Sequence, residues 1–152
     1  MPLSDLVAPQ AVMPALKVNG KKQALLELAA RAAELTGLEE RDILDVLQQR
    51  EKLGSTGIGN GIAIPHGKLA KLERMFGLFA RLDRAIDFEA LDGQPVDLVF
   101  LLLAPESAGA DHLKALARVA RLLRTADTAT MLRDSRDAEA IYAVLTMPVP
   151  GT

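Results

Sequence analysis

Apolar residues recur along this chain in two rhythms. Between residues 21 and 36, Leu25, Leu28, Ala29, Ala32 and Leu35 fall three and four apart, which lays them along one face of a helix. Gly20 precedes this run and Gly37 is a natural stop. The pattern predicts a second helix over 40–53, then a glycine-rich break over 54–67. Residues 75–82 read as a strand, and 96–104 as a buried strand, apolar on both faces. Between them Leu91-Asp92-Gly93-Gln94 reads as a turn. Asp111 is placed to cap a helix running to about Arg124. Two more helices are expected over 128–133 and 136–146. Residues 1–10 read as a loose start, with a short strand near 12–18, and 148–152 as a frayed tail. Interleaved helices and strands make the class α/β.

With 152 residues, the chain suits one domain spanning 1–152, with a core over about 3–146. Such a chain buries about 70% of the surface exposed when unfolded, so it needs no disulfide or metal to fold. It has no cysteine, which excludes thiolate catalysis and cysteine-bound zinc. A net charge of −2 and an aromatic content of 3% give nucleic acid neither an electrostatic footprint nor a stacking platform. The start of the chain lacks the basic and apolar pattern of a signal peptide. The apolar run at 96–104 is too short to span a bilayer. The expectation is a cytoplasmic protein without membrane insertion.

Candidate chemistry concentrates in the break. Gly54, Gly57, Gly59 and Gly61 fall within eight residues, followed by the apolar Ile62-Ala63-Ile64 and then Pro65-His66-Gly67-Lys68. Proline fixes the chain direction before His66 and glycine removes bulk after it. A histidine so flanked is expected on a rigid turn, open to a large partner. The spacing does not match a nucleotide-binding loop, in which the lysine follows the last glycine. A structural loop with an incidental histidine is the plain alternative.

The chain has only one other histidine, His112. Following Asp111, it falls in the first turn of a helix, where unpaired N–H groups and the dipole favour anions and disfavour a protonated imidazole. His112, Leu116, Val119 and Leu123 form one stripe, so this histidine shares a face with core residues. Arg50 is a similar anomaly. Ile43, Leu47 and Arg50 lie at i, i+4 and i+7, which puts a guanidinium on an inward face. Such a charge needs a partner. A phosphate would grip it through paired hydrogen bonds, although a carboxylate, or water reached along the stem, would also serve. His112 alone could be an ordinary histidine of a capping turn.

Taken together, these groups suit phosphoryl transfer through histidine. Neutral imidazole is nucleophilic near pH 7, and a hydrogen bond on one nitrogen frees the other to attack. Transfer then depends on positioning and on charge stabilisation at the equatorial oxygens. His66 is the candidate acceptor, with His112 and Arg50 in support. Ser55, Thr56, Gly57, Gly59 and Asn60 are the candidate phosphate-binding loop. Two histidines, with at most Asp111 as a third ligand, make a poor zinc site. No metal and no cofactor are expected.

The segment from Arg50-Glu51-Lys52 through Ser55-Thr56-Gly57-Ile58-Gly59 to Ile64-Pro65-His66-Gly67 resembles the phosphorylation-site signature of the enzyme IIA proteins of the mannitol/fructose class in the bacterial phosphotransferase system. Asn60, Gly67-Lys68-Leu69, Gln94-Pro95-Val96-Asp97-Leu98 and the helix from His112 to Leu123 are most similar to its nitrogen-regulatory members. The resemblance covers roughly residues 3–146. It implies an α/β sandwich with a mixed sheet flanked by helices. It also implies that His66 accepts a phosphoryl group from the phosphohistidine of an HPr-like carrier, itself charged from phosphoenolpyruvate by enzyme I. His112 matches the second site histidine and Arg50 the site arginine; Asp111 puts a carboxylate beside His112 that would repel a phosphoryl group unless it turns away to cap its helix. The implied output is regulatory, through proteins such as potassium-transport regulators that bind according to phosphorylation state. A sugar-branch IIA passing phosphate to a IIB permease domain, and a binding module that works without phosphorylation, are the two alternatives.

Overall fold

The computed structural model describes residues 3–147. The helix expected over 21–36 forms with those bounds, as α1 (Lys21–Thr36), and Gly37 ends it in the left-handed region at φ 78° with its N–H on the Ala33 carbonyl. The next helix, α2 (Glu40–Lys52), buries Ile43 and Leu47. A short 3-10 turn, Leu3–Asp5, leads into β1 (Val7–Leu16). The first strand thus starts five residues before the expected one and ends two residues earlier. Pro9 and Pro14 interrupt its sequence pattern, yet both are tolerated because β1 lies at the edge of the sheet.

The glycine-rich segment is not a simple break. It holds β2 (Gly57–Gly59), β3 (Ile62–Ala63) and the start of β4 (His66–Leu69). Two long strands follow, β5 (Phe76–Ile86) and β6 (Val96–Pro105). Exposed Asp83 and Arg84 hid the extension of β5 past Leu82. The sheet is mixed, ordered β1-β5-β6-β3-β2. β4 continues along β6 in the same parallel register as β3: Ile62 lies opposite Leu98 and His66 opposite Leu102. The two short strands are therefore one strand interrupted at Ile64–Pro65, where proline has no N–H to give the ladder. His66 opens a strand and does not sit on a turn.

β6 is the centre of the core. Leu98 to Ala104 are fully buried on both faces of its pleat. On its other side β5 pairs with it antiparallel. The helices α1 and α2 pack on each other and reach the sheet at β5 and β4. A second group, α3 (Ala110–Arg124), α4 (Ala126–Asp134) and α5 (Ala138–Leu145), meets the sheet at β6 and β1. Arg81, only 8% exposed, joins these layers: its Nε donates to the Arg133 carbonyl at 3.0 Å and its Nη1 to that of Pro14 at 3.3 Å. The α/β mixed-sheet architecture is as expected, and no helix among the described residues is long and apolar enough to cross a membrane. The tail at 148–152 lies outside the described residues.

Gly67 controls how closely α2 lies on β4. A Cβ there would stand 2.0 Å from Val46 Cγ1. Gly67→Ala should therefore push the helix bearing Arg50 off the strand bearing His66 and destabilise the protein by about 1–3 kcal/mol, as overpacking does. Val46→Ala should recover a large part of that loss. Urea unfolding of the two single variants and the double variant checks the coupling; strictly additive losses would show that the contact does not matter.

Candidate functional site

β4 starts where the chain leaves Pro65, and this brings the His66 ring back toward the carbonyl two residues earlier. Its Nδ1 lies 2.8 Å from the Ile64 oxygen. A carbonyl only accepts, so Nδ1 carries the hydrogen. The other nitrogen, Nε2, accepts from Arg50 Nε at 3.2 Å. Both contacts select the same tautomer, a neutral imidazole whose lone pair sits on Nε2. Burial is the main cause that moves the His66 pKa below the ordinary 6.5; the Ile64 bond opposes it, the Arg50 charge adds to it and the Glu51 charge opposes it.

Arg50 reaches this point from the last turn of α2. Its Nη1 also donates to the Gly54 carbonyl at 2.9 Å, beyond the helix end. The guanidinium is thus bridged between the helix terminus and the imidazole, with no carboxylate in salt-bridge range among the described residues.

His112 enters from the third position of α3. Its ring centroid is 5.5 Å from that of His66, with the planes at 60°. The residue is 9% exposed, and its Nε2 is buried with no hydrogen-bond partner among the described residues. Buried nitrogens are seldom left so. Its pKa is also lowered, first by burial and then by the charges at His66 and Lys68. Burial is thus the leading cause of the shift at His112. The cap of α3 is Gly109, with no side-chain bond; Asp111 is an exposed first-turn residue and does not cap the helix as expected.

The three anomalous residues thus converge, but the candidate loop groups are engaged elsewhere. The Ser55 hydroxyl donates to the Phe88 carbonyl at 2.7 Å and accepts from Gly57 N–H at 3.0 Å. Thr56 is buried, and both its N–H and its hydroxyl donate to the Glu51 carboxylate. Gly57 packs on Ala90, where a Cβ would come within 2.8 Å of the Ala90 Cβ. Gly59 faces Asp92, whose carboxylate accepts from Asn60 N–H at 3.0 Å. The Asn60 carbonyl accepts from Arg133 Nη2 at 2.7 Å, while Arg133 also pairs with Asp97. These contacts shape the segment from within and leave the hydroxyls of Ser55 and Thr56 occupied.

One residue of the site went unnoticed in the sequence except as part of a motif. Glu51, whose side chain is 7% exposed, lies 2.9 Å from Lys21 Nζ and holds Thr56. The signal was present: Ile43, Leu47 and Glu51 repeat at i, i+4 and i+8, so a second charge lies on the inward stripe.

Both histidines bind protons less readily in the folded chain than in the unfolded one. Below about pH 6.5 the unfolded chain takes up more protons, so stability present above that pH is lost as pH falls toward the folded values. NMR titration should give both imidazoles midpoints below 6.5, and His66→Gln/His112→Gln should flatten this part of the stability profile. A midpoint above 6.5 at either ring would contradict the site electrostatics.

Residues 5–147 match the family model described as phosphoenolpyruvate-dependent sugar phosphotransferase system, EIIA 2. A "Nitrogen regulatory protein" of Bradyrhizobium diazoefficiens is 74% identical over 152 residues, covering 100% of this chain and 99% of that protein. The crystal structure of nitrogen regulatory protein IIA-Ntr from Neisseria meningitidis superposes with a TM-score of 0.90 at 34% identity, covering 95% of this chain and 99% of that one. The IIA mannitol structure from Escherichia coli shares the fold, with a TM-score of 0.77 at 18% identity over 91% of this chain and 97% of that one. The chain is a member of the EIIA 2 family of the phosphoenolpyruvate-dependent phosphotransferase system.

Proposed function

We propose that this phosphotransferase-system component is a regulatory phosphocarrier, and that Nε2 of His66 accepts the phosphoryl group. The donor is the phosphohistidine of a small HPr-like carrier of the nitrogen branch, charged in turn through enzyme I from phosphoenolpyruvate. The Nε2 lone pair forms the new N–P bond as the carrier's N–P bond breaks, and the carrier's imidazole leaves with that electron pair. No cofactor and no metal takes part. The whole chain, 1–152, acts as one IIA domain.

The observation that carries this reading is the tautomer of His66. Its Nδ1–H is held by Ile64, while Nε2 keeps its lone pair beside Arg50. When Nε2 forms the N–P bond it can no longer accept from Arg50. The guanidinium is then free to turn to the phosphoryl oxygens, which it can grip with two N–H groups. The unpartnered Nε2 of His112, buried next to the same ring, supplies a further hydrogen bond in its Nε2–H form. Fixed donors of this kind stabilise charge that develops during transfer. The loop Ser55, Thr56, Gly57, Gly59 and Asn60 contributes by holding the segment's shape, because its hydroxyls are engaged inside the fold.

A regulatory output is favoured over a sugar-permease partner by the 74% identity to a protein named for nitrogen regulation. On this reading the chain works in the cytoplasm and binds targets, potassium-transport regulators among them, according to the state of His66.

Incubation with phosphoenolpyruvate, enzyme I and the carrier should place an acid-labile, base-stable phosphate on the wild type and none on His66→Ala. Labelling of His66→Ala equal to wild type would overturn the assignment. Arg50→Ala should slow labelling on the order of 100-fold, the scale for loss of one charge-stabilising donor, with little change in the unfolding midpoint. His112→Ala should slow labelling but not abolish it. An unchanged rate in Arg50→Ala would remove the guanidinium from the site.

A further inference from the structure

Lys21 and Glu51 each stand at the unfavourable end of their helix. Lys21 is the first residue of α1, where the helix dipole disfavours a cation, and the first turn of α1 has no acidic residue to offset it. Glu51 lies in the last turn of α2, where the dipole disfavours an anion. Both are largely withdrawn from water, with side chains 16% and 7% exposed, and they meet at 2.9 Å. Helix stability alone explains neither placement. Lys21 Nζ also stands 5.0 Å from the centre of the Phe88 ring, in cation–π range.

The consequence lies in what the pair holds. Glu51 Oε1 accepts from the Thr56 N–H at 3.0 Å and Oε2 from the Thr56 hydroxyl. The Thr56 carbonyl accepts from the Ile64 N–H at 3.0 Å. The Ile64 carbonyl, in turn, accepts from His66 Nδ1 at 2.8 Å. In the other direction, two residues before Thr56, the Gly54 carbonyl holds Arg50 Nη1. The acceptors that orient the imidazole and the guanidinium are therefore tied to one residue, and that residue is tied to a buried carboxylate.

We infer that Glu51, clamped by Lys21, is a positioning residue for both His66 and Arg50: by fixing Thr56 it sets the Ile64 carbonyl that selects the imidazole tautomer and the Gly54 carbonyl that steadies the guanidinium. It acts through Thr56 and does not touch the transferred group. The inference rests on the reading of His66 as acceptor, but it has a consequence in the unphosphorylated protein that does not depend on transfer. If Glu51 lets go, both holds on the ring loosen together, and the proton on Nδ1 loses its acceptor.

The test uses the full chain with Glu51→Ala, Glu51→Gln and Thr56→Val. Long-range nitrogen–proton NMR reads the His66 tautomer without phosphate, and the labelling rate is measured separately. Wild type should be the Nδ1–H tautomer. Glu51→Ala should mix in Nε2–H and slow labelling roughly 10–100-fold, the scale of lost positioning. Glu51→Gln keeps an acceptor oxygen for Thr56 and should recover most of both. Thr56→Val keeps the backbone bond but loses the hydroxyl, and should shift both readouts less and in the same direction. A wild-type tautomer and rate in both Glu51→Ala and Thr56→Val would overturn the inference. Should Glu51→Ala fail to fold, Thr56→Val decides, and an unchanged tautomer there counts against it. If wild type itself takes no label, the acceptor reading fails while the tautomer still decides the role of Glu51.

Discussion

The site depends on one hydrogen bond, from Nδ1 of His66 to the carbonyl of Ile64. It forms because the strand along β6 is interrupted at Ile64–Pro65 and resumes in the same register at His66. The interruption lets a carbonyl two residues upstream face the ring. That bond places the hydrogen on one nitrogen and leaves the other with its lone pair, which meets Arg50. The rest of the fold supplies the conditions: a strand, β6, buried on both faces to anchor the segment, and a glycine at 67 that lets α2 lie close enough for its last turn to reach the ring.

The site is short of negative charge where it holds its nitrogens. A guanidinium is held by a ring nitrogen and a carbonyl, two imidazoles are made harder to protonate by burial, and one buried nitrogen has no partner among the described residues. Each of these is a modest cost to folding, and an anion with several acceptor oxygens would relieve most of them at once. The nearby carboxylate of Glu51 is turned away to Lys21 and Thr56. It therefore steadies the framework without occupying the place of the incoming group.

What could be read from the sequence, and what could not, follows from the range of the interactions. The helix α1 was legible to the residue because local spacing and Gly37 set it. The buried strand β6 is legible to within one residue, as a long apolar run interrupted by Asp97. His66, His112 and Arg50 were legible because each breaks a pattern: a lone histidine between proline and glycine, and two polar groups on inward stripes. The early start of β1 is not legible, because tolerance of Pro9 and Pro14 in a strand depends on an edge position that only the sheet order reveals. The hydroxyls of Ser55 and Thr56 suggested phosphate contacts, because a local reading cannot see the Phe88 carbonyl 33 residues away or the orientation of Glu51. Asp111 looked like a cap, yet the helix begins one residue before it, from a glycine.

Transfer requires one particular ring nitrogen of His66 to be free. Nitrogen–phosphorus coupling in the phosphorylated, nitrogen-15-labelled protein reads this directly. Phosphorus should be bonded to Nε2 of His66, with the proton retained on Nδ1 and the bond to Ile64 intact. Phosphorus on Nδ1, or on either nitrogen of His112, would contradict it.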